Sequence, residues 1–155
     1  INLEKLSFST IKKNIISNKD KILKYPAIYP VEVSDRKFSS RYGYRIDPFS
    51  KKKKFHDGDD FSTKIGVDVF ATADGIVQTS RYNGSFGNYI EIDHGNGYIT
   101  AYGHLSKRAV KKGQKIDRGD FIGKVGNTGK STAPHLHYEI RLNDKHVNPN
   151  KYYFN

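Results

Sequence analysis

The clearest pattern of apolar and polar positions is the strict alternation that runs from His135 to Leu142. Successive side chains of a β-strand point to opposite faces, so residues two apart share a face. One face carries the apolar residues Leu136, Tyr138, Ile140 and Leu142, and the other carries His135, His137, Glu139 and Arg141. The pattern predicts a strand that packs on one face and presents polar chemistry on the other.

Short apolar bursts separated by glycines and other turn residues fill the chain from Val31 onward. The stretch 88–93 alternates, the turn 94–97 follows, and the stretch 98–104 returns as a second strand, on which Tyr98, Thr100, Tyr102 and His104 are expected to share a face. Asp74-Gly75 between two apolar bursts predicts another hairpin. These patterns predict a mainly β fold of short, coiled, antiparallel strands.

The first 24 residues have a different pattern, in which single apolar residues are scattered among lysines and asparagines. Their helical periodicity is only partial, and Pro26 and Pro30 disfavour helix in the residues before them. We predict a peripheral N-terminal lead at residues 1–30, with a short helix, and a single domain at residues 31–155.

Composition narrows the classes of function. The 155 residues include 27 Lys and Arg against 16 Asp and Glu, a net charge of +11 that favours polyanions such as nucleic acid, anionic lipid or acidic cell-wall polymers. The absence of cysteine excludes disulfides, a thiolate nucleophile and cysteine-type zinc sites, so any metal is held by histidine and carboxylate. No apolar run is long enough to span a bilayer. The chain starts at Ile1 without a signal-peptide pattern, and we expect a mature or excised fragment.

Five residues stand out as candidate ligands or proton carriers, each at a predicted strand end or adjoining loop: His56, Asp60, His104, His135 and His137. A spacing of four places His56 and Asp60 on one side of either a strand or a helix, and His135 and His137 lie within reach of one metal ion. The residues alone leave open an alternative site in which His104, His135 and His137 are the metal ligands and Asp60 is not a ligand but lies next to them. The two remaining histidines, His94 and His146, lie in predicted turns and are expected to be structural or solvated.

Several motifs occur in a fixed order along the chain: Ser40-Arg-Tyr-Gly43, His56-x-Gly58-x-Asp60, Tyr102-Gly-His104-Leu105 and Ser131-Thr-x-x-His135-Leu-His137. This ordered set resembles the LytM and lysostaphin-like zinc metallopeptidases of family M23, over about residues 36–155. Asp59 departs from the family, which usually has an aliphatic residue before the ligand carboxylate.

The resemblance implies an antiparallel sheet that forms an open groove, and a zinc-dependent endopeptidase that hydrolyses peptide stems or crossbridges of bacterial peptidoglycan. It implies one zinc ion per chain, with His56, Asp60 and His137 as ligands and with His104 and His135 as the catalytic pair. Either histidine of the pair can be the general base. The expected location is the cell envelope, in the periplasm or at the extracellular surface.

Three other functions are each compatible with part of the sequence. A non-catalytic envelope module that binds peptidoglycan or activates a partner hydrolase would typically lack one of the five residues, and this chain has them all. Nucleic-acid binding is suggested by the charge and the eleven tyrosines, but the lysines are scattered and no recognition motif is present, so no nucleic-acid partner is expected. A biotinyl or lipoyl carrier domain has short strands spaced like those predicted at residues 110–123, but this function would leave the histidines unexplained.

Overall fold

The computed structural model describes residues 2–154, with the side chains of the first helix described at position 10 and from position 12 onward. The helix and strands, in chain order, are α1 Asn2–Leu23, β1 Phe38–Ser40, β2 Gly43–Ile46, β3 Lys53–His56, β4 Asp59–Ser62, β5 Asp68–Phe70, β6 Gly75–Tyr82, β7 Asn88–Gly95, β8 Tyr98–Arg108, β9 Lys115–Ile116, β10 Phe121–Val125, β11 His135–Leu142 and β12 Lys145–Val147. Short 3₁₀ helices occupy Val33–Asp35, Gly84–Phe86 and Pro149–Lys151.

The described strands form a ten-stranded antiparallel sheet and a separate two-stranded hairpin of β2 and β3. The main path of the large sheet runs β1-β4-β11-β8-β7-β6-β9, with β12 paired to β11, and β10 paired to both β5 and β8. Strand β11 therefore lies between β4 and β8. The prediction of a mainly β fold with short antiparallel strands is confirmed.

The core lies against the apolar face of β11. Leu136, Tyr138 and Ile140 are completely buried, as the alternation of this strand predicts. They pack with side chains from the neighbouring strands, among them Phe61, Ile90, Ile92, Tyr102, Leu105 and Ile122. Each such side chain contributes about 1.5–3 kcal/mol on burial, so this cluster strongly favours one orientation of β11.

Helix α1 is longer than predicted, at 22 residues, and its described side chains from position 12 to position 22 are exposed. Its C-terminal end is held by the Arg118 guanidinium, which donates to the carbonyls of Ile22 and Tyr25. No helix among the described residues is long and apolar enough to cross a membrane. Tyr25 and Ala27 already pack on the β domain, and the division at residue 30 stays a prediction.

The hairpin predicted at Asp74-Gly75 is wrong. The strand before it, β5, pairs with β10, and the strand after it, β6, pairs with β7 and β9. Gly75 is needed for another reason, since a Cβ there would lie 2.4 Å from the carbonyl oxygen of Asp93 on β7. The glycine permits close strand pairing at this point and does not form a two-residue turn.

His94 belongs to a buried polar network beneath the sheet. Its Nδ1 lies 2.8 Å from the carbonyl oxygen of Asp74, which can only accept, and its Nε2 lies 2.7 Å from the hydroxyl of Thr100. The network continues to the hydroxyls of Tyr102, Thr72 and Tyr138. Burial lowers the pKa of His94 to about 4, and the prediction of a structural role for this histidine agrees with its surroundings.

We predict that lowering the pH from about 6.5 to about 4 destabilises the protein partly through His94. The unfolded chain takes up a proton at this residue within that window and the folded chain does not, which costs the folded state about 3 kcal/mol by pH 4. Asp93 and Asp74 favour the proton and Arg118 opposes it, but burial dominates. His94→Gln should be less stable than wild type at pH 7 and lose about 3 kcal/mol less across the window. Urea unfolding at several pH values tests this, and equal pH slopes for the two proteins would contradict it.

Candidate active site

The register of β11 brings two candidate residues together. His137 is paired directly opposite Asp60 on β4 and opposite Gly103 on β8, so the side chains of His137 and Asp60 leave the sheet on the same side. His56 comes from the hairpin, at the end of β3, where it is paired with Gly43. All three side chains are buried at the floor of a groove of about 360 Å³.

The potential ligand atoms of these three residues form a tight triangle. His56 Nε2 lies 3.2 Å from His137 Nδ1 and 3.2 Å from Asp60 Oδ1, and His137 Nδ1 lies 2.7 Å from Asp60 Oδ1. Zinc bonds of about 2.0 Å place tetrahedral ligands about 3.3 Å apart. Two imidazoles and one carboxylate at these separations fit a zinc ion and leave its fourth position free.

In both His56 and His137, the ring nitrogen that points away from the triangle, here called the far nitrogen, makes a hydrogen bond to another part of the protein. His56 Nδ1 donates to the carbonyl oxygen of Arg41 at 3.0 Å, and His137 Nε2 donates to Glu139 Oε1 at 2.9 Å. Because a carbonyl or a carboxylate oxygen accepts, the proton stays on the far nitrogen, and the near nitrogen is the one directed at the triangle.

His104 and His135 stand beside the triangle, with their ring centroids 4.6 Å apart. His104 Nδ1 donates to the carbonyl oxygen of Thr128 at 2.8 Å, and His135 Nδ1 donates to that of Ala133 at 2.8 Å. His135 Nε2 is directed inward and lies 3.7 Å from Asp60 Oδ1. The structure thus brings all five candidate residues into one groove, with the Nδ1 of both flanking histidines engaged by the protein.

A β-bulge aims His104 into the groove. Ile90 of β7 is paired with Tyr102 and Asn88 with Leu105, so β8 has one more residue than β7 at this point. His104 adopts the left-handed conformation, with a φ of 60°. The prediction that it shares a face with Tyr102 is wrong, because the extra residue turns Tyr102 and Leu105 into the core and leaves His104 in the groove.

The charges of the site are set by burial and by close hydrogen bonds. Burial opposes ionisation of Asp60, but the close imidazoles of His137 and His56 outweigh it and hold the pKa of the carboxyl well below its usual range. Burial also opposes protonation of His137, yet hydrogen bonds to Asp60 and Glu139 raise its pKa to about 9. A cation that binds the triangle takes the place of the proton on Nδ1. Burial lowers the pKa of His104 to about 4, so this imidazole is neutral at neutral pH.

Asp59, the residue that departs from the family pattern, faces away from the groove. It is completely buried and accepts hydrogen bonds from the backbone N–H of Tyr42 at 2.9 Å and the hydroxyl of Tyr153 at 3.2 Å. Burial raises its pKa. Alternation along β4 therefore directs Asp60 to the triangle and gives Asp59 a structural position.

Two groove residues went unassigned from the sequence. Glu139 shares the polar face of β11, which the alternation of the strand indicates, and both of its oxygens contact imidazoles. Arg45 lies 3.6 Å from Asp60 Oδ2, on the side of the carboxylate away from the triangle. Its position on the groove face of β2 depends on the pairing of β2 with β3, which the local pattern does not reveal.

The family model of peptidase family M23 matches residues 54–149, which include all five candidate residues. The chain belongs to peptidase family M23. It is 46% identical over 123 residues to the peptidoglycan DD-endopeptidase ShyA of Vibrio cholerae, and 42% identical over 113 residues to the DD-carboxypeptidase/endopeptidase Mpg of Neisseria meningitidis. These alignments cover 79% and 73% of the M23 chain but only 29% and 26% of the two relatives. The chain thus spans less than a third of the length of these relatives.

Solved structures agree with this membership. A zinc-containing peptidase from Vibrio cholerae matches 77% of the M23 chain and 37% of its own, with a TM-score of 0.71 and 41% identity. The catalytic domain of lysostaphin from Staphylococcus simulans matches 76% of this chain and 92% of its own, with a TM-score of 0.70 and 31% identity.

We predict that the adjacent carboxylates Asp59 and Asp60 respond differently to the same substitution. Asp60→Asn should weaken zinc binding by more than the roughly 10–100-fold typical of losing an outer hydrogen-bond partner, because the triangle of potential ligand atoms loses its one negative charge. Asp59→Asn should keep zinc and lose about 1–3 kcal/mol of stability, because a buried hydrogen bond is mispaired. Metal analysis and thermal unfolding of both variants test this. Loss of zinc from Asp59→Asn with retention in Asp60→Asn would reverse the assignment.

Proposed function

We propose that the chain is a zinc-dependent endopeptidase that hydrolyses the peptide stems or crossbridges of bacterial peptidoglycan in the cell envelope. One observation carries the proposal: the near nitrogens of His56 and His137 and one oxygen of Asp60 converge within 3.2 Å of one another. His104 and His135 flank this point with their Nδ1 atoms already bonded to backbone carbonyls. Three potential ligand atoms beside two further imidazoles suit a hydrolytic zinc site, which keeps three protein ligands and gains from a positioned acid or base.

In this proposal His56, Asp60 and His137 hold one zinc ion per chain. Zinc supplies Lewis-acid polarisation of the scissile carbonyl and activation of a water molecule for attack. The chain itself supplies the orientation of the ligands, through the bonds of His56 to Arg41 and of His137 to Glu139.

His104 and His135 form the acid–base pair. The neutral His104 holds its Nδ1 proton against Thr128, so its Nε2 can accept a proton from the attacking water. His135 Nδ1 is bonded to the Ala133 carbonyl in the same way, and its Nε2 is directed toward Asp60. When this ring carries a proton on each nitrogen, Nε2 can donate a hydrogen bond to an oxygen that gains negative charge. The accepted proton is then available for the leaving amine.

The substrate class is supported by the groove and by the relatives. The groove is lined by aromatic and cationic side chains, including Phe49, Phe86, Arg45, Lys54 and Lys130, which suit an extended peptide with carboxylates. The net charge of +11 favours capture by an anionic wall. Relatives that are named as peptidoglycan DD-endopeptidases support the same substrate, and an enzyme with that substrate would act in the periplasm or at the cell surface. The complete set of five residues argues against a non-catalytic envelope module.

Purified sacculi provide the direct test. We predict that the zinc-loaded protein releases soluble fragments whose masses correspond to cleaved crossbridges or stem peptides, because zinc and the histidine pair act on the amide bond. Removal of zinc by a chelator should abolish release, and added zinc should restore it. Undiminished release by the metal-free protein, or no release by protein with one zinc per chain, would contradict the proposal.

A second prediction separates the ligands from the acid–base pair. His104→Ala and His135→Ala should each keep close to one zinc per chain and lose activity by about 10²–10⁴-fold, the usual effect of removing a positioned acid or base. His56→Ala and His137→Ala should lose the metal together with the activity. Metal analysis and peptide hydrolysis on the same preparations test this. A zinc-depleted His104→Ala protein would favour the three-histidine site instead.

A further inference from the structure

Glu139 is a buried carboxylate whose ion-pair partners among the described residues are histidines. It follows His137 by two positions on β11 and is only 4% exposed. Its Oε1 lies 2.9 Å from His137 Nε2, and its Oε2 lies 3.0 Å from His146 Nε2. Burying a carboxylate is costly unless it is paired, so the residue is best explained by what it does to these two rings.

The contact with His137 decides which nitrogen of that ring reaches the metal triangle. Because Nε2 donates to Glu139, the ring presents Nδ1 to Asp60 and His56. A carboxylate on the far nitrogen of a ligand imidazole fixes the orientation of the ring and makes the ligand nitrogen more basic.

His146 holds Glu139 from the other side. It lies on β12, paired with Arg141 of β11, and the carbonyl of His146 accepts a hydrogen bond from the Tyr42 hydroxyl at 3.1 Å. Its Nε2 donates to Glu139, and its Nδ1 lies 3.9 Å from Asp57 Oδ1, in the turn that follows the ligand His56. The chain of contacts Asp57, His146, Glu139 and His137 therefore links the two sequence segments that carry the ligands.

The turn that follows His56 packs closely against the backbone and side chain of β11 at Glu139. A Cβ at Gly58 would lie 2.3 Å from the carbonyl oxygen of Tyr138 and 3.0 Å from Glu139 Cγ. The absence of a side chain at Gly58 lets the turn lie against Glu139. The carboxylate is thus held by two hydrogen bonds, and the turn at Gly58 packs against the stem of the same side chain.

We propose that Glu139 and His146 are positioning residues for the metal, with His146 acting through Glu139 to hold His137 in its Nδ1-ligating orientation. This inference rests on the zinc site of the proposed function, but its test does not require hydrolysis. It gives His146 a role that its place in a predicted turn did not suggest.

The test measures zinc affinity by competition with a chromogenic chelator. Glu139→Ala should weaken zinc binding by about 10–100-fold, and Glu139→Gln by less, because the amide oxygen still accepts from His137 without the charge. His146→Ala should cause a smaller loss, and His146→Gln should recover part of it, because its side-chain amide can donate to Glu139. Lys145→Ala, an exposed neighbour on β12, is the matched control and should bind zinc like wild type.

A double-mutant cycle tests whether His146 acts through Glu139. His146→Ala should have no further effect on zinc affinity in the Glu139→Ala background. Unfolding of the metal-free variants separates a positioning role from a purely structural one. If Glu139 and His146 were only structural, their substitution would lower stability. It would leave zinc affinity and the absorption spectrum of the cobalt-substituted protein unchanged.

Two results would overturn the inference. One is an affinity of Glu139→Ala within about twofold of wild type, and the other is an equal effect of His146→Ala with and without Glu139. Either result would leave the proposed function intact if wild type binds zinc and cleaves sacculi. A wild-type chain that binds no zinc would instead overturn the zinc site and both proposals.

Discussion

The site depends on the register of β11 between β4 and β8. The side-chain period of a strand is two, so a slip of one residue would direct His137 into the core and Tyr138 into the groove. Leu136 and Tyr138 prevent that slip, since each is completely buried in the cluster beneath the sheet. The apolar packing that stabilises the sheet therefore also keeps His137 opposite Asp60.

Much of this arrangement was predictable because the strongest signals are local. The alternation of β11 gave the correct division between core and groove, and the ordered histidine and aspartate motifs indicated the family. The bulge in β8 was not predictable, because an extra residue does not change the apolar pattern of the sequence. Tyr102 and His104 are two positions apart, so the pattern predicts that they share a face. Only the pairing with β7 shows that the alternation is broken between them.

Contacts between distant segments account for the other differences. His56 and His137 are 81 positions apart, and nothing near His56 in sequence specifies which of its nitrogens is free until Arg41 is placed beside it. His146 lies on β12 and not in the predicted turn, and its contact with Glu139 forms only once β12 pairs with β11. Gly75 satisfied a hairpin rule, but its small size serves the close approach to Asp93.

The left-handed backbone of His104 has a consequence for engineering. An L residue with a Cβ pays about 1–2 kcal/mol in this region of conformational space, whereas glycine does not. A design procedure that ranks sequences by folded-state stability would favour glycine at this position, and under the proposed mechanism it would return a more robust but inert protein. Thermostabilisation of this domain therefore has to exempt the residue whose backbone looks least favourable.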